Sequence, residues 1–444
     1  MVSFQTGVNP GKHGVFDFID YRKKIGTPIV NNAKDIKTPR IWDILGNSGL
    51  KSLVINMPLT YPVSKINGVV VSSFLTPNGA DYVYPRKYQK VLDDLDYRID
   101  ILTDNKYGDL PNRKLKKDEE KRYLDELIDI SEKRLLAFQK LSSTNDFSFN
   151  FLLFKETDLV QHLFWRKKEL GIYYQKLDKL LEELYCFIKS KNKNFEFILI
   201  SDHGFHEAPM WEVSIYSWFN KEFNLSRSKN SKTWMALSTV NKKLKNLGLT
   251  PSSMSRIKKI RSEILKDSKK DFVDDQRFLI TTHGILDFGW FKDNIDLKKL
   301  VTKLRKLKHR NNKVFKFVKL SKDIYHGQYS NLAPDIVWET NKEFIVDTNV
   351  YTKEVFKKRV NTLLGEHGSD SKGIYVVSGE NIIEGKSDNQ NMWDMTLLIH
   401  RSLGVVLPWY SDGRIPSFYN ENIDKREKKT VEDKIKREIS SLGK

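Results

Sequence analysis

The chain has 444 residues, of which 39% are apolar and 30% are charged, and its formal net charge is +19. No stretch approaches the roughly 20 apolar residues that a membrane-spanning helix needs. The single cysteine, Cys186, excludes a disulfide framework and a cysteine-based zinc site. The basic excess favours anionic partners, which include phosphates, nucleic acid and acidic membrane surfaces, without choosing among them.

The start of the chain lacks the apolar segment of a secretory signal peptide, because residues 1–14 contain no long apolar run. Together with the single thiol, this predicts a cytoplasmic protein. A signal sequence upstream of Met1 stays an open alternative. The sequence gives no indication of the oligomeric state.

Short apolar runs alternate with amphipathic helices along most of the chain. One helical stripe runs through 124–138 and another through 177–188, with Cys186 on the apolar side of the second, where it is expected to be part of the core. The pattern predicts an α/β protein, a three-layer α/β/α sandwich around a mostly parallel sheet. The predicted buried strands are 51–56, 68–74, 147–154, 195–201 and 373–378.

Two basic segments interrupt or extend this core. Residues 226–270 contain 13 Lys or Arg against 2 Asp or Glu and indicate a helical insertion, either a cap over the site or a surface excursion. Residues 425–444 are charged and have apolar residues at helical spacing, which predicts a C-terminal helix. The predicted core is therefore 1–225 with 271–424. No recognised nucleic-acid motif supports the alternative of a basic binding module.

Ser201-Asp-His-Gly-Phe205 follows directly on the predicted strand 195–201. Because ligands bind beyond the carboxyl ends of parallel strands, Asp202 and His203 are candidate metal ligands. A carboxylate beside an imidazole suits zinc or manganese. Nearby His206 is a candidate substrate-binding residue, although an exposed loop histidine fits equally well.

Two further segments carry metal-binding residue types beside predicted strands. Asp158 and His162, in Glu156-Thr-Asp-Leu-Val-Gln-His162, stand at i and i+4, on one face of a helix that Thr157 could cap. His367 lies in Gly365-Glu-His-Gly368, shortly before the strand 373–378. Each signal alone has a structural explanation, but three signals beside strands favour one shared site.

Together these motifs resemble the type I phosphodiesterase and nucleotide pyrophosphatase branch of the alkaline phosphatase superfamily. The most similar group is the predicted phosphohydrolases or phosphomutases of archaea and bacteria. The resemblance covers nearly the whole chain except 226–270 and the C-terminal tail. It also rests on residues 6–18, 42–46, 58–62, 73–77, 325–329, 333–337, 394–396 and 411–414.

The resemblance implies a site with two divalent metal ions that hydrolyses phosphoric esters of small molecules or phosphodiesters. It assigns Asp158, His162 and His367 to one ion and Asp202 with His203 to the other, with zinc expected and manganese as the alternative. The family's Thr or Ser nucleophile and an Asp on its first strand would both lie upstream of Met1. The expectation is therefore an alkaline phosphatase-like core that lacks the first strand, and the N-terminus is expected to be truncated.

Three other functions stay open under this resemblance. A truncated, catalytically inactive homologue would keep the ligands without turnover. A sulfatase would need a cysteine or serine at the nucleophile position, where Cys186 does not lie. A phosphomutase of the same superfamily would carry a large insertion directly after the nucleophile, whereas the insertion here follows Asp202 and His203.

Overall fold

A computed structural model describes residues 1–20, 29–101, 107, 110, 113–222, 279–280, 284–287, 296–349, 352–360, 362–368, 372–406 and 408–420. The predicted insertion 226–270 and the predicted C-terminal helix 425–444 lie outside these residues. Within the described residues, no helix has the length and apolar character to cross a membrane.

The described residues form helices and strands in alternation, as the sequence predicts. The helices are α1 Val2–Thr6, α2 Pro10–His13, α3 Ile41–Asn47, α4 Gln89–Asp94, α5 Lys117–Ser142, α6 Glu156–Phe164, α7 Lys168–Lys191, α8 Ile215–Glu222, α9 Leu297–Arg305 and α10 Met392–Ser402. The strands are β1 Ile19–Asp20, β2 Ile29–Val30, β3 Ser52–Ile55, β4 Gly68–Val71, β5 Val83–Tyr84, β6 Phe149–Leu152, β7 Phe197–Ile200, β8 His206–Glu207, β9 Trp211–Ser214, β10 Leu279–Ile280, β11 Ile285–Asp287, β12 Lys308–His309, β13 Asn312–Lys313, β14 Phe315–Leu320, β15 Ile336–Thr340, β16 Phe344–Asp347, β17 Phe356–Lys358, β18 Gly365–Glu366 and β19 Tyr375–Ser378.

A four-stranded sheet in the order β5-β4-β3-β6 forms the centre of the fold. Strand β3 runs parallel to β4 and to β6, with Ser52 opposite both Gly68 and Phe149. All four residues of β3 are buried, which explains its uninterrupted apolar run. The five predicted strands are confirmed as β3, β4, β6, β7 and β19, each slightly shorter than expected. The mixed α/β class is confirmed as well.

Strands β6 and β7 lie in one layer without a hydrogen-bonded ladder between them. Phe151 and Ile198 pack into the same apolar cluster on one face, and Leu152 and Phe197 pack into one cluster on the other. Strand β6 pairs with β3, and β7 pairs antiparallel with β19. In the described part of the chain, the second edge of each strand has no strand partner. That the core lacks a first strand stays a prediction.

Helices cover the strands on two faces. Leu135 and Phe138 of α5, with Leu180 and Leu184 of α7, pack on one face, as their helical stripes predict. Helices α3 and α10 pack on the other face around the buried Trp42. This arrangement directs the carboxyl ends of β6 and β7, with the loops that follow them, to one rim of the structure.

The predicted burial of Cys186 is wrong. Its side chain is exposed, although it lies on α7 next to residues of the helix's apolar stripe. The buried positions of α7 include Leu177, Leu180 and Leu184. Cys186 lies outside the stripe that these residues define, so the helix turns its thiol towards solvent.

A buried histidine predicts acid sensitivity of the fold. His400 on α10 is 1% exposed, and burial lowers its pKa to about 4, a shift that the Thr396 backbone opposes. An unfolded histidine titrates near 6.5, so between these values the unfolded state binds more protons. His400 therefore contributes stability that is present above about pH 6.5 and lost as pH falls towards 4, on the order of 3 kcal/mol.

We expect the free energy of unfolding of His400→Leu to fall less steeply than that of the wild type between pH 6.5 and pH 4. Urea unfolding at several pH values measures both slopes. The comparison uses slopes because the substitution also alters packing in the core. Equal slopes would show that His400 takes up its proton as easily in the folded state as in the unfolded state.

Candidate metal centre

Helix α6 carries the first two candidate ligands. The helix follows β6 and begins at Glu156, so Asp158 lies in its first turn and His162 one turn later. The Nε2 atom of His162 is 3.5 Å from Oδ1 of Asp158. The sequence suggested that Thr157 caps this helix, but the cap residue is Lys155. The Thr157 hydroxyl instead donates to the carbonyl of Phe154.

His367 reaches the same place from a segment more than two hundred residues further along the chain. The Leu364 N–H donates to the His162 carbonyl at 2.7 Å, which holds the segment against α6. At Gly365 a Cβ atom would lie 2.4 Å from the Gln161 carbonyl oxygen, so glycine allows this close approach. As a result, Nε2 of His367 is 3.8 Å from Oδ1 of Asp158.

These three residues form a set that can hold one cation. One ligand atom from each of Asp158, His162 and His367 lies within 4.8 Å of the others. Oδ1 of Asp158 is buried and has no hydrogen-bond partner among the described residues, as expected for an atom that faces a cation. Ligand atoms around a tetrahedral zinc ion at about 2.0–2.1 Å lie about 3.4 Å apart, close to the separations here. The residues therefore fit a divalent metal.

The two histidines of this set are prepared for metal binding. The Nδ1 atom of His162 is 3.0 Å from the Gly365 carbonyl oxygen. A carbonyl oxygen only accepts, so Nδ1 carries the proton and the Nε2 lone pair is free on the Asp158 side. Burial, with the nearby His203, lowers the pKa of His367 to about 4, although Asp158 opposes this. His367 is therefore neutral at pH 7, the state that a metal ligand needs.

Asp202 and His203 lie beside this set, at the end of β7. The Nε2 atom of His203 is 3.6 Å from Oδ1 of Asp202. The Nδ1–H of His203 donates to the Gly204 carbonyl at 3.1 Å, which again leaves Nε2 free on the carboxylate side. The rings of His203 and His367 stack with 4.2 Å between their centroids. The pair thus offers ligands for a second cation next to the first.

Phe205 packs among the three imidazoles, and sequence reasoning assigned it no role. Its ring centroid is 4.9 Å from that of His162, 5.5 Å from that of His367 and 5.6 Å from that of His203. On its other side it stacks on Trp165. Its position directly after Asp202-His203-Gly204 is the only sequence signal for this role. These contacts restrict the orientations of the three imidazole rings.

His206, the candidate substrate-binding residue, lies on β8 opposite Glu366 of β18. Its Nδ1 atom is 2.7 Å from the carbonyl oxygen of Glu207, to which it donates. This local bond leaves Nε2 available. A role in substrate binding stays a prediction.

The hydroxyl residues at the start of the chain have structural partners. Thr6 donates to the Val2 carbonyl. The Val15 N–H donates to Nδ1 of His13, so the other ring nitrogen carries the proton and donates to Oγ of Ser3 at 3.1 Å. His13 therefore cannot take a proton from Ser3, and neither hydroxyl is activated as a nucleophile.

Comparison with known protein families identifies the family of this chain. Residues 1–370 match the model of the type I phosphodiesterase / nucleotide pyrophosphatase family. The chain belongs to this family. Membership makes the protein a hydrolase of phosphoric ester bonds. No curated protein sequence matches the chain significantly.

Solved structures share the fold of this family member. The alkaline phosphatase PafA is 15% identical with a TM-score of 0.55, and the match covers 93% of this chain and 87% of that one. Phosphonoacetate hydrolase from Sinorhizobium meliloti, bound to phosphonoacetate, is 13% identical with a TM-score of 0.54, covering 91% and 83%. Murine ectonucleotide pyrophosphatase / phosphodiesterase 5, in an inactive form with AMP, is 13% identical with a TM-score of 0.52, covering 92% and 83%.

Proposed function

We propose that this protein is a two-metal phosphoric ester hydrolase of phosphodiesterase or nucleotide pyrophosphatase type. The observation that carries the proposal is the convergence of Asp158, His162 and His367 from separate segments, with Asp202 and His203 stacked beside them. A pair of divalent cations at such a rim stabilises the attacking and leaving oxygens of an in-line displacement at phosphorus.

In this proposal, Asp158, His162 and His367 hold one cation, and Asp202 with His203 binds the second. The ligand atoms are oxygen and nitrogen only, a set that accepts zinc or manganese. We favour zinc because imidazoles dominate and the separations suit tetrahedral coordination.

The chain's own residues have three roles in the proposed reaction. The carboxylates of Asp158 and Asp202 hold negative charge at the rim, which concentrates divalent cations there. The three imidazoles offer their Nε2 atoms to the cations, and an imidazole that binds a metal adds no positive charge. Phe205 keeps the three rings in place.

The substrate class follows from the charge that the occupied site would carry. Two divalent cations against two carboxylates leave an excess of positive charge, which suits a phosphate or phosphodiester group. We propose that His206 contacts the substrate through its Nε2 atom, since Nδ1 is already bonded to Glu207. Phosphonoacetate and AMP are the ligands of two structural neighbours and therefore suitable probes.

Assays of p-nitrophenyl phosphate and of a p-nitrophenyl phosphodiester test this function. We expect turnover that depends on added zinc or manganese and that a chelator abolishes. The same assays are made on the chain extended by any in-frame residues encoded before Met1, because neither Ser3 nor Thr6 serves as nucleophile in this proposal. Metal binding without turnover by either form would contradict the hydrolase and establish the alternative, an inactive homologue.

A further inference from the structure

A buried carboxylate lies directly behind the metal-binding histidine of α6. Glu366 is 9% exposed, and its Oε1 atom is 4.0 Å from Nδ1 of His162. The same Nδ1–H donates to the carbonyl of the preceding residue, Gly365. The protonated side of His162 therefore faces a carbonyl and a carboxylate, while its Nε2 atom faces Asp158.

Arg359 forms an ion pair with this carboxylate. Both terminal nitrogens of the Arg359 guanidinium lie 3.3 Å from Oε2 of Glu366, and both side chains are nearly buried. The backbone N–H of Arg359 donates to the Met210 carbonyl, which fixes the base of the side chain. Arg359 directly follows β17, in a small sheet outside the central one. The ion pair thus connects that sheet to the metal centre.

We propose that Glu366 and Arg359 form a positioning pair that strengthens, together with the Gly365 carbonyl, the tautomer and orientation in which His162 binds a metal. A carboxylate beside Nδ1–H favours the proton on that nitrogen and increases the electron density on Nε2. The Glu366 charge needs Arg359, since a buried unpaired carboxylate would be costly. The inference rests on the proposed function, in which His162 binds a metal.

Titration calorimetry with zinc tests the role of Glu366. Outer-shell groups that accept the hydrogen bond of a metal-binding histidine change metal affinity by about 10–100-fold. Glu366 lies 4.0 Å from Nδ1 and does not accept that bond, so Glu366→Gln is expected to weaken the binding of one zinc ion by about tenfold, the lower end of this range. Glu222→Gln is the matched control, because Glu222 forms an ion pair with Lys303 on the surface. We expect the control to bind zinc like the wild type. Unchanged zinc affinity in Glu366→Gln would overturn the proposal.

A pair of variants separates positioning from simple support of the fold. Arg359→Met leaves Glu366 unpaired and is expected to lower the melting temperature of the metal-free protein. The double variant Arg359→Met/Glu366→Gln removes the unpaired charge and should recover much of that temperature, while its zinc affinity stays low. If zinc affinity recovers together with the melting temperature, the pair is merely structural.

Nitrogen NMR of the metal-free protein gives a readout that needs no metal. In the wild type we expect the ring nitrogens of His162 to show the proton on Nδ1. In Glu366→Gln only the Gly365 carbonyl still favours the proton on Nδ1, so we expect the shifts to report a larger share of the other tautomer. Identical shifts in the two proteins would contradict the inference. If the wild type binds no zinc but its ring-nitrogen shifts still differ from those of Glu366→Gln, the result contradicts the proposed function and leaves the positioning role of Glu366 supported.

Discussion

His367→Ala is expected to reduce the binding of divalent metal from two ions to one and to lower kcat/KM by at least about 100-fold. The Nε2 atom of His367 lies 3.8 Å from Oδ1 of Asp158 and completes the three-residue set. The remaining Asp158 and His162 form only a two-ligand site. A bound metal supplies several kcal/mol of transition-state stabilisation, and about 1.4 kcal/mol corresponds to a tenfold change in rate.

Metal content after dialysis and calorimetric stoichiometry measure this loss. His326→Ala is the control, because that histidine bonds to Asn9 and Asp412 and not to the candidate ligands. The control should keep both ions. Two equivalents of metal bound with wild-type affinity by His367→Ala would contradict the assignment.

Arg134→Met is expected to lower the free energy of unfolding by about 3–5 kcal/mol, because it leaves a buried charge unpaired. Arg134 is fully buried, and its guanidinium donates to both carboxylate oxygens of Glu156, to the Tyr97 hydroxyl and to the Ile99 carbonyl. Burial opposes the charge of Arg134, but the adjacent Glu156 more than offsets this, so the pKa of Arg134 is raised.

Urea unfolding measures this effect, with a surface pair on the same helix as control. Arg122 pairs with Asp118 one turn away, and exposed helix pairs contribute only about 0.3–0.5 kcal/mol, so Arg122→Met should change little. The double variant Arg134→Met/Glu156→Leu should recover part of the loss, since no charge is left unpaired. If Arg134→Met and Arg122→Met lower the free energy of unfolding equally, the buried ion pair stabilises the fold no more than the surface pair does.

This buried pair also bears on the metal centre. Glu156 is the first residue of α6, the helix that carries Asp158 and His162. Arg134, from α5, therefore fixes the start of the helix that supplies two ligands. Loss of the pair is expected to reduce metal affinity together with stability, in contrast to the Arg359→Met/Glu366→Gln variant, in which the two properties separate.

The strands and the main ligand pair could be predicted because they depend on local pattern. Five apolar runs became β3, β4, β6, β7 and β19, and the i, i+4 spacing of Asp158 and His162 requires only that α6 is a helix. The approach of His367 was expected from the family resemblance and from the meeting of strand ends at one rim. Its physical basis, the contact of Gly365 with α6, is visible only in three dimensions.

Tertiary packing decided what the sequence could not predict. Arg134 lies in a charged stretch of α5 that is typical of a solvated face, yet the packing of α5 against α6 buries it. The contact between Arg359 and Glu366 depends on how two short strands are placed. Cys186 has apolar neighbours in sequence but lies on the solvent side of α7. In each case the outcome depends on the placement of a neighbouring element.

Anomalous diffraction from crystals soaked in zinc tests the central claim most directly. The account predicts two zinc peaks at the rim: one within about 2.2 Å of Oδ1 of Asp158 and the Nε2 atoms of His162 and His367, as zinc coordination requires, and one bound by Asp202 and His203. Zinc bound elsewhere, with no peak beside these five residues, would contradict it.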